Sequence, residues 1–262
     1  MESFLLYAAL GVFAGVVAGF LGVGGGLIIV PVLVSIFQSQ GFENDLLVHI
    51  AIGTSLATIV VTSISSVYAH HRRGAVLWPV FRQMAAGIVI GALLGAVIAD
   101  LLPSDQLRIL FGIFELFVAA YMAWDFIPAP HRSLPGKVIL NSSGVVIGMI
   151  SSVIGIGGGT MTVPFLTWCN VSIRHAVATS SACGLPIAIA GATGFVMTGW
   201  NETGLPEWST GYVYWPAFVG IVAASMIFAP VGARLTHTLP ASMTKRFFSL
   251  FLAFLGVRML MG

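Results

Sequence analysis

Three consecutive glycines interrupting an apolar run, twice, are the residues of this chain best suited to chemistry. Gly155-Ile156-Gly157-Gly158-Gly159-Thr160-Met161-Thr162-Val163-Pro164 repeats Gly22-Val23-Gly24-Gly25-Gly26-Leu27-Ile28-Ile29-Val30-Pro31 at an offset of 133 residues. Each glycine disfavours a helix by about 1 kcal/mol relative to alanine, so three together break one. Backbone freed inside lipid must find partners in protein or at a water-lined cavity. The amides that reopen the helix are those of Gly24, Gly25, Gly26 and Leu27 in one copy, and of Gly157, Gly158, Gly159 and Thr160 in the other. A helix N-terminus carries about half a positive charge, and its open N–H groups bind anions without a cation. Close helix packing through small residues is the competing use of such glycines.

Hydroxyls form the second group. Thr54-Ser55 and Thr179-Ser180-Ser181 occupy corresponding places near the starts of two later apolar segments, within His49–Ser55 and His175–Ser181. They can donate to the oxygens of an oxyanion while keeping the site neutral, or bond back to their own helix. Glu115 is the third candidate, the one carboxylate near the middle of an apolar segment. A lone acid there is cheapest neutral and is a candidate proton carrier; a bond to a neighbouring helix or an oligomer interface is the alternative. His49 and His175 read as interfacial, and Cys183 as a small apolar filler. No carboxylate or cysteine joins a histidine at ligand spacing, so neither metal nor cofactor is expected.

These residues need elements to position them. The chain has 262 residues, 58% hydrophobic and 8% charged, against about 25% charged in soluble domains. Mean hydropathy is +1.01, and the expected class is an all-α polytopic membrane protein. Apolar runs cover roughly 4–22, 26–38, 47–69, 77–99, 107–127, 138–155, 159–170, 175–199, 212–233 and 244–261. A bilayer core of about 30 Å takes about 20 helical residues. The second and seventh runs are too short to span, and read as returning arms of hairpins tipped by the glycines.

The halves match beyond the glycines. Trp78-Pro79 corresponds to Trp215-Pro216 and Leu102-Pro103 to Leu239-Pro240, at an offset of 137. The expected organisation is a first membrane repeat at 1–127, a linker at 128–137 and a second repeat at 138–262. If each glycine unit turns back, Arg72, Arg73, Arg82, Arg132, Lys137, Arg174, Arg234, Lys245 and Arg246 share one face, against Arg108 and Arg258 on the other. That bias makes the first face cytoplasmic. Five segments per half then give two inverted repeats. The start, Met1-Glu2-Ser3-Phe4, lacks a basic n-region, so the first run reads as retained rather than as a signal peptide.

Broken helices at matching positions in two halves point to a transport site. A phosphate-binding P-loop is excluded because no Gly-Lys-Ser/Thr follows either copy, and no strand–turn–helix unit supports a dinucleotide fingerprint. No close acid pair or Ser-His pairing suggests an enzyme.

Gly22–Pro31 and Gly155–Pro164, with HIAIGTS and HAVATSS downstream, resemble the sulfite exporter TauE/SafE family of the 4-toluene sulfonate uptake permease superfamily. The resemblance covers nearly the whole chain. It implies a secondary transporter of a bacterial or archaeal inner membrane, working by alternating access on sulfite, thiosulfate or an organosulfonate such as sulfoacetate. Substrate binding would fall to Gly24, Gly25, Gly26, Thr54, Ser55, Gly157, Gly158, Gly159, Thr160, Thr179, Ser180 and Ser181, and proton coupling to Glu115 if the direction is uptake. An anion channel of the same architecture is the alternative. The expected partners are the anion and membrane lipid, with room for a homodimer and none for nucleic acid.

Overall fold

Long apolar segments satisfy their backbone polar groups in lipid most simply as helices, and helices account for most of the described residues. The structure, a computed structural model, describes residues 2–21, 25–124, 133–235 and 241–262. Gly24 and linker residues 128–132 lie outside them. The helices are α1 (Glu2–Leu21), α2 (Gly26–Ser39), α3 (Asn44–Arg72), α4 (Trp78–Asp100), α5 (Ser104–Ala123), α6 (Lys137–Ile154), α7 (Gly159–Trp168), α8 (Ile173–Thr198), α9 (Trp215–Leu235) and α10 (Ala241–Met261). Two short strands, β1 (Ser209–Thr210) and β2 (Val213–Tyr214), pair antiparallel before α9. Among the described residues, α3, α4, α5, α6 and α8 are long and apolar enough to cross a membrane. The chain is an all-α, multi-pass membrane protein.

The two short arms are α2, with 14 residues, and α7, with 10. At 1.5 Å per residue they reach about 21 Å and about 15 Å, short of the hydrocarbon thickness. Each therefore returns to the face from which its partner entered. Tyr7 near the start of α1 donates to Gln40 Oε1 beyond the end of α2, at 2.7 Å. That face also holds the end of α4, where Asp100 accepts from Tyr212 of the β-hairpin at 2.9 Å. On the opposite, basic face, Asn141 of α6 donates to Gln83 O of α4 at 3.4 Å, and Arg174 of α8 donates to Arg73 O at 3.4 Å. The two hairpins thus enter from opposite faces.

Helix pairing follows the same inversion. α1 packs most extensively on α9, and α4 on α6, so the first helix of each half lies on the fourth helix of the other. Gly11 abuts Ile221 and Gly144 abuts Met84, contacts related by the offsets of 133 and 137. α3 packs on α8, and α5 on α10, each helix against its own counterpart. The core lies between these layers, rich in Leu, Ile, Val, Ala and Phe.

Candidate functional site

The second glycine break is fully described. α6 ends at Gly155 in a left-handed conformation, φ 77°, which glycine adopts without steric cost. The Gly155 N–H donates to Ser152 O at 3.2 Å and the Ile156 N–H to Ser151 O at 2.9 Å, the two bonds of a Schellman ending. α7 then starts at Gly159, with the Thr162 N–H donating to Gly158 O at 2.8 Å. Between these bonds, the N–H groups of Gly157, Gly158, Gly159 and Thr160 meet no acceptor among the described residues. Four donors stand at the positive end of a helix dipole.

Most hydroxyls are used within the fold, and of the six buried ones without a partner among the described residues only Thr198 and Ser209 lie away from this break. Ser35 donates to Pro31 O, Thr58 to Ser55 O, Thr167 to Val163 O and Ser181 to Val177 O, each within its own helix. Ser151, Ser152, Thr160 and Thr162 have buried oxygens with no partner among the described residues. A buried hydroxyl left unpaired costs about 1–3 kcal/mol, so four beside one break leave hydrogen-bonding capacity there that the described residues do not use. Ser151, Ser152 and Thr162 are not among the residues expected from the sequence. Their counterparts at the offset of 133 are Ala18, Gly19 and Ile29, and that of Thr160 is Leu27. The usable signal was that contrast of hydroxyl against apolar.

The two breaks meet. A Cβ on Gly26 would stand 2.6 Å from Gly155 O and 2.8 Å from Ile156 Cα, so only glycine allows this approach. Ser55 Oγ donates to the same Gly155 carbonyl at 2.9 Å. Ile59 lies against Gly157, Ile187 and Thr162 against Gly158, and Ser63 and the Gly158 amide against Gly184. In the first hairpin, the Ile28 and Ile29 N–H groups donate to Gly25 O at 3.0 and 2.9 Å. Leu27, Ile28, Ile29 and Val30 there are all buried hydrophobics.

The other expected residues divide. Thr54 Oγ1 accepts the Tyr214 N–H at 3.0 Å, and Thr179 Oγ1 accepts the Leu77 N–H at 3.0 Å. Because Tyr214 and Leu77 are counterparts at 137 residues, Thr54 answers to Thr179 in space, and Ser55 to Ser180. The alignment of HIAIGTS with HAVATSS is therefore one residue out at this point, and Ser181 is the member without a counterpart. Its hydroxyl is used within α8, whereas Ser180 is buried. Glu115 is fully buried, with both carboxyl oxygens unpartnered among the described residues. It lies on α5, which packs on α10 and α3, one turn from the close approach of Gly112 to Gly256.

His49, expected near the membrane interface, lies by the start of α3 and the end of α4. It is buried, with Nε2 3.0 Å from Ala99 O and 3.1 Å from Leu102 O, pinning α3 to the end of α4. His175 Nδ1 lies 2.8 Å from Ala75 O. A groove of about 190 Å³, lined by Gln38, Asn44, Ser104 and Arg108 among others, opens at the ends of α2, α3 and α5, away from the glycine breaks.

Comparison with known proteins agrees with this architecture. The chain is 37% identical to a probable membrane transporter protein of Haemophilus influenzae over 99% of both chains. It is 29% identical to a probable membrane transporter protein of Methanocaldococcus jannaschii, covering 87% of this chain and 84% of that one. A probable membrane transporter protein of Bacillus subtilis, YdhB, is 27% identical over 88% of this chain and 89% of its own. The family described as sulfite exporter TauE/SafE matches residues 7–259. With its paired glycine breaks and crossed helices, the chain is a membrane transporter and belongs to the sulfite exporter TauE/SafE family.

Proposed function

We propose that the protein carries a small sulfur-containing oxyanion (sulfite, thiosulfate or an organosulfonate) across the inner membrane of a bacterium or archaeon by alternating access. One observation carries the reading: among the described residues, four open amides stand at the break between α6 and α7, and four buried hydroxyls on the helix ends flanking it have no partner. Neutral donors at a helix N-terminus suit a compact anion, and hydroxyls suit the several oxygens of a sulfonate or sulfite. The family name supports sulfur oxyanions as the class. In this reading Gly157, Gly158, Gly159 and Thr160 bind the anion, joined by Ser151, Ser152 and Thr162. Gly25 and Gly26 supply the facing wall.

The repeats are taken as 1–127 and 138–262, joined by 128–137, with the basic face cytoplasmic. Export of an anion is then favoured by an inside-negative potential, by about 2.3 kcal/mol per charge per 100 mV. Uptake needs a coupled cation, and Glu115, buried on α5 with no partner among the described residues, is the group suited to carry a proton.

The test is a binding screen of purified protein against sulfite, thiosulfate, sulfoacetate and taurine, with chloride and phosphate as controls. Saturable binding of one sulfur anion, weakened in a Thr160→Val, Thr162→Val double variant, is expected. Failure of all four to bind, or undiminished binding by the double variant, overturns the proposal. Saturating counterflow in proteoliposomes separates a transporter from a channel.

A further inference from the structure

Thr54 and Ser55 stand side by side on α3, both fully buried, and their hydroxyls reach two different parts of the second half. Ser55 Oγ donates to Gly155 O at the glycine break. Thr54 Oγ1 accepts the N–H of Tyr214, the last residue of the β-hairpin. Two residues earlier, Tyr212 is wedged among three helices. Its ring centroid lies 5.1 Å from that of His49 on α3 and 6.1 Å from that of Phe195 on α8. Its N–H donates to Phe195 O at 3.2 Å and its hydroxyl to Asp100 Oδ1 on α4 at 2.9 Å. Burial and the Asp100 carboxylate push the Tyr212 hydroxyl above its ordinary pKa, so it remains a donor. Gly53 abuts the Tyr212 carbonyl, leaving this stretch of α3 no slack against the wedge.

The second half repeats the threonine bond, Thr179 holding the Leu77 N–H before α4. It does not repeat the wedge: the counterpart of Tyr212 at the offset of 137 is Ala75. A bulky plug therefore stands on the β-hairpin face, while the basic-face half of α3 has Ile64 and Tyr68 exposed.

We propose that Thr54 and Ser55 are positioning residues that join the Tyr212 plug to the anion-holding break, so that withdrawing the plug and loosening Gly155–Thr160 are one movement. A packed helix moves as a unit between discrete arrangements, and α3 carries both bonds within two consecutive residues. The inference rests on reading that break as the anion site, but the mechanical link is measurable without any anion.

The experiment is hydrogen–deuterium exchange on the whole protein in lipid nanodiscs, with no ligand added. Loss of one such bond is expected to speed exchange about fivefold at its own end. The link predicts a rise at the far end too: Ser55→Ala speeds exchange in 209–214, and Thr54→Val speeds it in 155–160. Thr54→Ser, which keeps the acceptor oxygen, restores both. Should Thr54→Val fail to assemble, Tyr212→Phe perturbs the plug without touching the pair and must also speed 155–160. Changes confined to the near end in each variant overturn the proposal. The anion-binding screen is decided separately.

Discussion

The two short glycine-led helices, α2 and α7, start alike and differ in what surrounds them. Gly25–Gly26 and Gly158–Gly159 each start a short returning helix, with a proline five residues after the last glycine. Around the first, Leu27 and Ile29 are buried apolar groups; at the matching positions of the second, Thr160 and Thr162 hold unpartnered buried oxygens. In the proposed reading, the side chains make one of them the ligand site and the other its backing. The lesson is that internal symmetry locates a site without saying that both copies contribute equally.

Breaking the contact between the hairpins should have the largest effect. Gly26→Ala forces a methyl onto the Gly155 carbonyl, backbone against backbone, and misplacement on the order of 1 Å costs about a hundredfold in function. Transport in proteoliposomes should fall by that order. Gly25→Ala, whose methyl meets only the flexible end of Ile29, should lose far less. Equal losses in the two variants would show that the close approach of Gly26 to Gly155 has no special part in the wall the two glycines form.

Exchanging hydroxyls between the hairpins sharpens the asymmetry. Thr160→Val and Thr162→Val should each weaken anion binding about tenfold, since a hydrogen bond to a charged group contributes about 1.5–3 kcal/mol. Calorimetric titration reads this directly. The reverse change, Leu27→Thr with Ile29→Thr, should leave affinity unchanged and lower thermal stability, because it buries hydroxyls without partners. Tighter binding by that variant would show the first hairpin to be a second ligand surface.

Glu115 has no carboxylate counterpart; Leu252 takes its place in the second half and is also buried. Glu115→Gln should leave anion affinity within about twofold, as expected for a group outside the site, while abolishing the pH dependence of uptake. Normal transport with an unchanged pH profile would remove the coupling role. Ser181→Ala should do least. Its hydroxyl is used within α8, and substitutions of that kind stay within about 0.5 kcal/mol of wild type. Unchanged binding and melting temperature are expected.

Much of the fold was legible from the chain because lipid leaves few choices. Apolar runs became helices within a few residues of their expected ends, and triple glycine broke the helix at Gly155–Gly158, since neither pattern depends on distant residues. Glu115 could be picked out as buried because its flanks, Phe111 to Val118, are otherwise apolar or glycine.

Tertiary structure decided how those pieces are used. A hydroxyl in sequence does not declare its partner: Ser181 turns back on α8, Ser55 reaches 100 residues along the chain to Gly155, and Thr54 reaches 160 to Tyr214. The one-residue shift that pairs Thr54 with Thr179 became visible only through the backbone amides they hold. Likewise the burial of His49, near a helix start, comes from the end of α4 folding over it. Periodicity and composition act along one chain segment, whereas the meeting of Gly26 with Gly155 depends on two segments arriving from opposite faces.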